Sequence, residues 1–208
     1  MTSIPTVEFQ AEAADLLFPA ARAARWVSTV ISPRPMAAAG LVIVASVVNT
    51  AAGWRWALAE FGLAFLASMG HIVWLVQRRQ VQDYELPVRA QRLRPYLTLA
   101  AGALAGWLIL WLGQAPALLT VFAGALVLQA RALLLITCFW KISLHTTAAA
   151  SVVTLLYLFA GTPALPLLGL VPLVAWSRVR LRRHTLAQTV AGALLGAGVV
   201  LSVLGHGG

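Results

Sequence analysis

Seven apolar runs, each close to the length of a bilayer crossing, leave this chain few folds to adopt. They lie at about 36–52, 54–77, 96–113, 116–140, 145–161, 164–176 and 185–204. A helix needs about 20 apolar residues to cross the hydrocarbon core, and it satisfies every backbone N–H and C=O within itself. Only 10% of the 208 residues are charged and 61% are hydrophobic. A soluble domain carries about 25% charged residues. The polar sequence is too scarce to cover a water-facing surface. The expectation is an all-α integral membrane helical bundle with six to seven transmembrane helices, in one membrane-embedded domain over residues 36–205.

Residues 1–35 read differently. From Val7 to Val30, apolar residues including Ala11, Leu17, Ala21, Ala24 and Val27 recur near helical spacing. Glu8, Glu12 and Asp15 come first and Arg22 and Arg25 later, an order that suits the helix dipole. This predicts an amphipathic helix lying on the membrane face, broken by Ser32-Pro33-Arg34-Pro35. The start lacks the basic and apolar regions of a signal peptide, so it is expected to be retained. Glu60 and His71 interrupt the second run, and Pro163, Pro166 and Pro172 predict a kinked or tilted sixth. Gly102, Gly106, Gly124, Gly192 and Gly196 suit close helix packing. The single Cys138 excludes an intrachain disulfide and reads as a small packing residue.

Seven crossings place the N-terminus, the 78–95 loop, the 141–145 stretch and the 177–184 stretch on one side. Of the 15 Lys and Arg, Arg55 falls on the far side, Arg131 falls within a helix, and the rest lie on the near side. The positive-inside rule makes that side cytoplasmic, in an inner or plasma membrane. The net charge of +9 comes without aromatic-basic alternation on a polar face. It points to anionic lipid headgroups or phosphates, with no nucleic acid among the partners.

Two cationic stretches carry candidate chemistry. In Trp176-Ser177-Arg178-Val179-Arg180-Leu181-Arg182-Arg183-His184, an imidazole stands beside a hydroxyl and several guanidinium groups. It can attack phosphorus if a partner fixes its tautomer, and Gln188 is one helical turn away. The same stretch reads equally as a topology-setting basic loop with an interfacial His. In Lys141-Ile142-Ser143-Leu144-His145, the His can act as a general acid while Lys and Ser bind phosphate oxygens. Lys141 alone is equally a snorkelling anchor. The loop from Asp83 to Pro95 adds Arg89, Arg92 and Arg94. His71 and Arg131 are intramembrane polar residues, functional candidates by default and equally explained by core pairing. Arg131 is expected to pair with a loop acid or a helix carbonyl. His71 with His145 or His184 is a further option, a bis-His haem pair.

Together the three clusters resemble the motifs of the type 2 phosphatidic acid phosphatase superfamily. The third motif of that family reads Ser-Arg, five residues, His, three residues, Asp. Ser177, Arg178 and His184 match at full spacing, with Gln188 in place of Asp. The second reads Pro-Ser-Gly-His and appears here as Ile142-Ser143-Leu144-His145. The first ends in Arg-Pro, present as Arg94-Pro95, while its Lys is Pro87 here. The resemblance covers residues 36–205. It implies hydrolysis of a membrane lipid phosphate or diphosphate, prenyl diphosphates among them, through a phospho-histidine. His184 would be the nucleophile, Gln188 its orienting partner and His145 the acid for the leaving group. Arg94, Ser143, Ser177 and Arg178 would hold phosphate oxygens. Lys141, Arg89 and Arg92 are the candidates to replace the absent Lys. No metal or cofactor is expected. The alternative is a catalytically inactive family member serving as a scaffold or subunit of a membrane complex.

Overall fold

Helix boundaries fall where capping chemistry puts them. Thr50 Oγ1 accepts the Gly53 N–H at 3.0 Å, and Ser143 Oγ accepts the Thr146 N–H at 3.4 Å. Thr185 Oγ1 accepts the Gln188 N–H at 3.3 Å while Gln188 Oε1 accepts the Thr185 N–H at 3.3 Å, a reciprocal capping box. A computed structural model of the protein describes residues 19–81, 86 and 88–205. Among these residues there are eight helices and no strand. They are α1 (Pro19–Val30), α2 (Pro33–Val48), α3 (Ala51–Gln77), α4 (Leu93–Leu112), α5 (Ala117–Phe139), α6 (Leu144–Ala160), α7 (Leu170–Arg180) and α8 (Leu186–Leu204). A 3-10 turn, Arg89–Arg92, leads into α4, and a 3-10 stretch, Thr162–Gly169, leads into α7.

The all-helical expectation holds. Five helical stretches are long and apolar enough to cross a bilayer: α3, Arg89–Leu112, α5, Thr162–Arg180 and α8. The pair α1 and α2, bent by 41°, passes the same test as one unit. The apolar α6 is shorter, at 17 residues. Exposed Leu58, Leu97, Leu112, Leu135, Phe139 and Leu194 give the bundle an apolar exterior, compatible with lipid.

Three local expectations are refined. The prolines after Ser32 do not form a loop. Pro33 is in the first turn of α2, where a missing N–H costs nothing, so the break is only the bend between α1 and α2. Glu60 and His71 do not interrupt α3, which runs through a π-helical turn, Phe61–Leu66. The proline-bearing sixth run is 3-10 in its first half, as the loss of amide donors requires.

The N-terminal helix differs more. Its part from Val7 to Phe18 lies outside the described residues. Over Pro19–Val30 it is amphipathic, burying Ala21, Ala24, Val27 and Ser28. That face packs on protein: Val27 and Ile31 join Ala149 of α6 and Val174 of α7. Elsewhere, close approach is set by glycine. A Cβ at Gly192 would strike Ser143 O and Thr146 Oγ1, and one at Gly196 would strike Thr147 O, so α8 lies directly against α6. A Cβ at Gly102 would strike Leu63 O of the π-helical turn. Cys138 is exposed and so does not pack as expected.

Candidate functional site

Three connections meet at one end of the bundle: the entry to α4, the link from α5 to α6, and the link from α7 to α8. Polar side chains tie them together through backbone carbonyls. Arg89 donates to Thr137 O at 2.9 Å and also to Cys138 O, joining the α4 entry to the end of α5. Arg92 donates from Nε to Leu86 O at 2.7 Å and from a terminal nitrogen to Ile142 O at 3.2 Å. Lys141 Nζ donates to Arg183 O at 2.7 Å. The Ser143 N–H donates to Gln188 O at 3.3 Å.

The link from α7 to α8 folds back on itself. Arg182 takes a left-handed conformation, φ 53°, and the N–H groups of Arg183 and His184 both donate to Arg178 O, at 3.0 and 3.3 Å. This turn brings His184 back beneath the last turn of α7. The ring is buried, and its Nδ1 lies 2.9 Å from Gln188 Oε1. The capping box already holds that oxygen toward the start of α8, so the amide presents an acceptor and Nδ1 carries the proton. Nε2 is left as the ring nitrogen with a lone pair.

Arg178 is the centre of the group. It is 1% exposed, and one terminal nitrogen donates to Ser28 Oγ of α1 while lying 3.5 Å from His145 Nε2. The structure therefore brings His145, His184, Gln188, Arg178, Lys141 and Arg92 into one cluster. The N-termini of α6 and α8 both open onto it, adding the positive ends of two helix dipoles.

The electrostatics follow from this crowding. Burial is the main reason that the His184 imidazole is pushed down to about 3; Arg92 and Lys141 push the same way, the Gln188 bond opposes them, and Arg178 adds a smaller push downward. His184 is thus neutral at physiological pH. Lys141 is lowered to about 8, first by burial and then by Arg92, Arg178 and Arg183. The cluster holds a neutral imidazole among cations and so favours negative charge.

Other predicted residues are placed differently. Arg94 is exposed and bonded to Gln80 at 3.3 Å; the structure does not bring it to the cluster. Arg92, two residues earlier, is the buried guanidinium there. Arg89 ties α4 to α5. Both serines are fully buried with local duties: Ser143 caps α6, and Ser177 Oγ donates to Val174 O at 2.8 Å. His71 is hydrogen-bonded through Nδ1 to Thr98 of α4. Arg131 is exposed on α5.

Two members of the site escaped the sequence reading. Ser28 is one; its signal was a hydroxyl on the apolar face of α1, in register with Ala21, Ala24 and Val27. Tyr96 is the other, buried and hydrogen-bonded with Arg92; its signal was a hydroxyl four residues after that guanidinium, at the start of a helix. No family model matches the chain. No curated protein and no solved structure matches it either.

Proposed function

We propose that the chain is a membrane lipid phosphate or diphosphate phosphatase working through a phospho-histidine. The observation that carries this reading is the His184–Gln188 bond inside a cluster of Arg178, Arg92 and Lys141. It provides a buried, neutral imidazole with one nitrogen held and the other available, next to the cations that a phosphate requires. His184 Nε2 attacks phosphorus, and the bond from phosphorus to the leaving oxygen breaks. His145, across Arg178, protonates that oxygen. Water then cleaves the phospho-histidine and releases phosphate. Arg178, Arg92 and Lys141 hold the phosphoryl oxygens and stabilise the added transition-state charge. The cation bias of the loops supports a site on the cytoplasmic side of an inner or plasma membrane. Arg94 enters this mechanism only through the family resemblance.

A second reading has an observation of its own. Lys141, Arg92 and Arg89 each hold backbone carbonyls across the end of the bundle, which is the work expected of an inactive scaffold. Phosphate release from a panel of prenyl diphosphates and phosphatidic acids separates the two. The enzyme reading expects turnover by the wild type and its loss in His184→Ala, with the helical fold kept. If His184→Ala retains wild-type turnover of a verified substrate, His184 is not the nucleophile and the mechanism is wrong.

A further inference from the structure

Glu60 is the only acid among the described residues, and it is 1% exposed in the interior of the bundle. Neither carboxyl oxygen has a hydrogen-bond partner among the described residues. The π-helical turn Phe61–Leu66 begins directly after it, and such turns are frequent at functional positions. On the facing helix α4 stands Gly106, where a Cβ would strike the Glu60 carboxyl. The residue pair leaves the carboxyl room that an alanine would remove.

This carboxyl lines a cavity of about 110 Å³. The cavity reaches from Met36 and Leu144, toward the end that carries the polar cluster, to Phe122 and Val200. Its other polar side chains are Gln129 and Ser151, and the Ser151 hydroxyl lies 2.8 Å from Gln129 Oε1. No Lys, Arg or His lines it. Of the titratable groups on the helices around Glu60, Arg34 of α2, Arg55 of α3, Arg94 of α4, and Arg131 and Cys138 of α5 are exposed, Tyr96 of α4 is hydrogen-bonded with Arg92, and His71 is bonded to Thr98.

An ionised carboxylate with no counter-charge is strongly disfavoured in such surroundings. A metal ion of the hard, oxygen-seeking kind takes about six oxygens. The lining supplies only Glu60, Gln129 and Ser151. An apolar ligand would leave the carboxyl as unsatisfied as before. A proton needs a single oxygen, and a cavity of this size with these polar groups has room for waters to bond the remainder. We propose that Glu60 is an intramembrane proton-binding site, hydrated through this cavity from the end that carries the polar cluster. The step moves one proton from a cavity water (as hydronium) to a Glu60 oxygen, leaving water behind; no electron is transferred. The inference is independent of the phosphatase reading.

Infrared difference spectra of the purified full chain, wild type minus Glu60→Gln, test it. The expected result is a protonated-carboxyl C=O band that is absent from Glu60→Gln, shifts in D₂O and shrinks as the pH is raised. Absence of such a band across the acid and neutral range overturns the proposal. So does a band indifferent to both pH and D₂O, since that group would be sealed from water. If Glu60→Gln does not fold, Glu60→Asp takes its place: the band is expected to move to a new position, and an unmoved band overturns the assignment.

Discussion

Gln188 is where chemistry and architecture meet in a single side chain. Its carbonyl oxygen closes the capping box of α8 and accepts the His184 ring proton. An amide does both without carrying charge, so it orients the imidazole but offers no countercharge to the imidazolium. Gln188→Asp sets a carboxylate, one methylene shorter, on the same side of the ring and replaces a neutral bond with a charge-assisted one, roughly twice as strong. Phosphatase kcat is expected to stay level or rise. A drop of more than about tenfold, or about 1.4 kcal/mol in the barrier, would count against the orienting role. The pH dependence is a second expectation at this scale. The folded pKa of His184, about 3, lies below the ordinary value of about 6.5. Between those values the unfolded chain binds the extra proton, so stability rises with pH across that window, by up to about 1.4 kcal/mol per pH unit, and is flat above it. The imidazole remains neutral through the same window. The profile of kcat/KM should therefore show no acid limb near 6.5 from His184. Loss of the Lys141 charge near pH 8 should give the alkaline limb. Lys141→Arg should move that limb upward, and an unmoved limb would remove Lys141 from phosphate binding.

At the scale of elements, the site depends on how closely α8 lies on α6. These two helices carry His184, Gln188 and His145 at their starts, and the Ser143 N–H to Gln188 O bond links them. Gly192 and Gly196 permit the approach because backbone oxygens of Ser143 and Thr147 occupy the space a Cβ would take. Gly196→Leu is expected to destabilise the protein by about 1–3 kcal/mol through overpacking. Gly198→Leu faces open space and should be nearly neutral. Thermal unfolding followed by tryptophan fluorescence compares the two; equal melting temperatures would mean that the α6–α8 contact is not as tight as described. The α1 helix is a different kind of element. It reaches the site through Ser28, which holds Arg178 from outside the stretch that resembles a phosphatase.

For the whole molecule, the distribution of charge predicts its orientation. The cluster, the α4 entry and the links from α5 to α6 and α7 to α8 share one end, and the basic residues concentrate there. With Cys138 replaced, a cysteine at exposed Arg182 should resist impermeant thiol reagents in intact cells. A cysteine at exposed Gln114, on the opposite end, should react. The reverse pattern would turn the protein over and give the site access to the outer leaflet instead.

Apolar run length and the placement of turn residues were enough to predict helices close to those observed, because a hydrophobic segment of bilayer length has no other way to satisfy its backbone. His184 and Gln188 were legible as a pair for the same local reason: a separation of four residues at a helix start brings side chains together without help from the rest of the chain. Tertiary structure decided what local spacing cannot carry. Arg92 rather than Arg94 turns into the cluster because the 3-10 turn before α4 aims it at Ile142 O, 50 residues away. Ser28 meets Arg178 across 150 residues because the apolar face of α1 is buried against α6 and α7. Glu60 stood out in the sequence only as an interruption, and its isolation in a cavity depends on which neighbours the packing withheld from it. The choice of partner for a buried polar group is a long-range property, made by helix packing after the helices themselves have been specified.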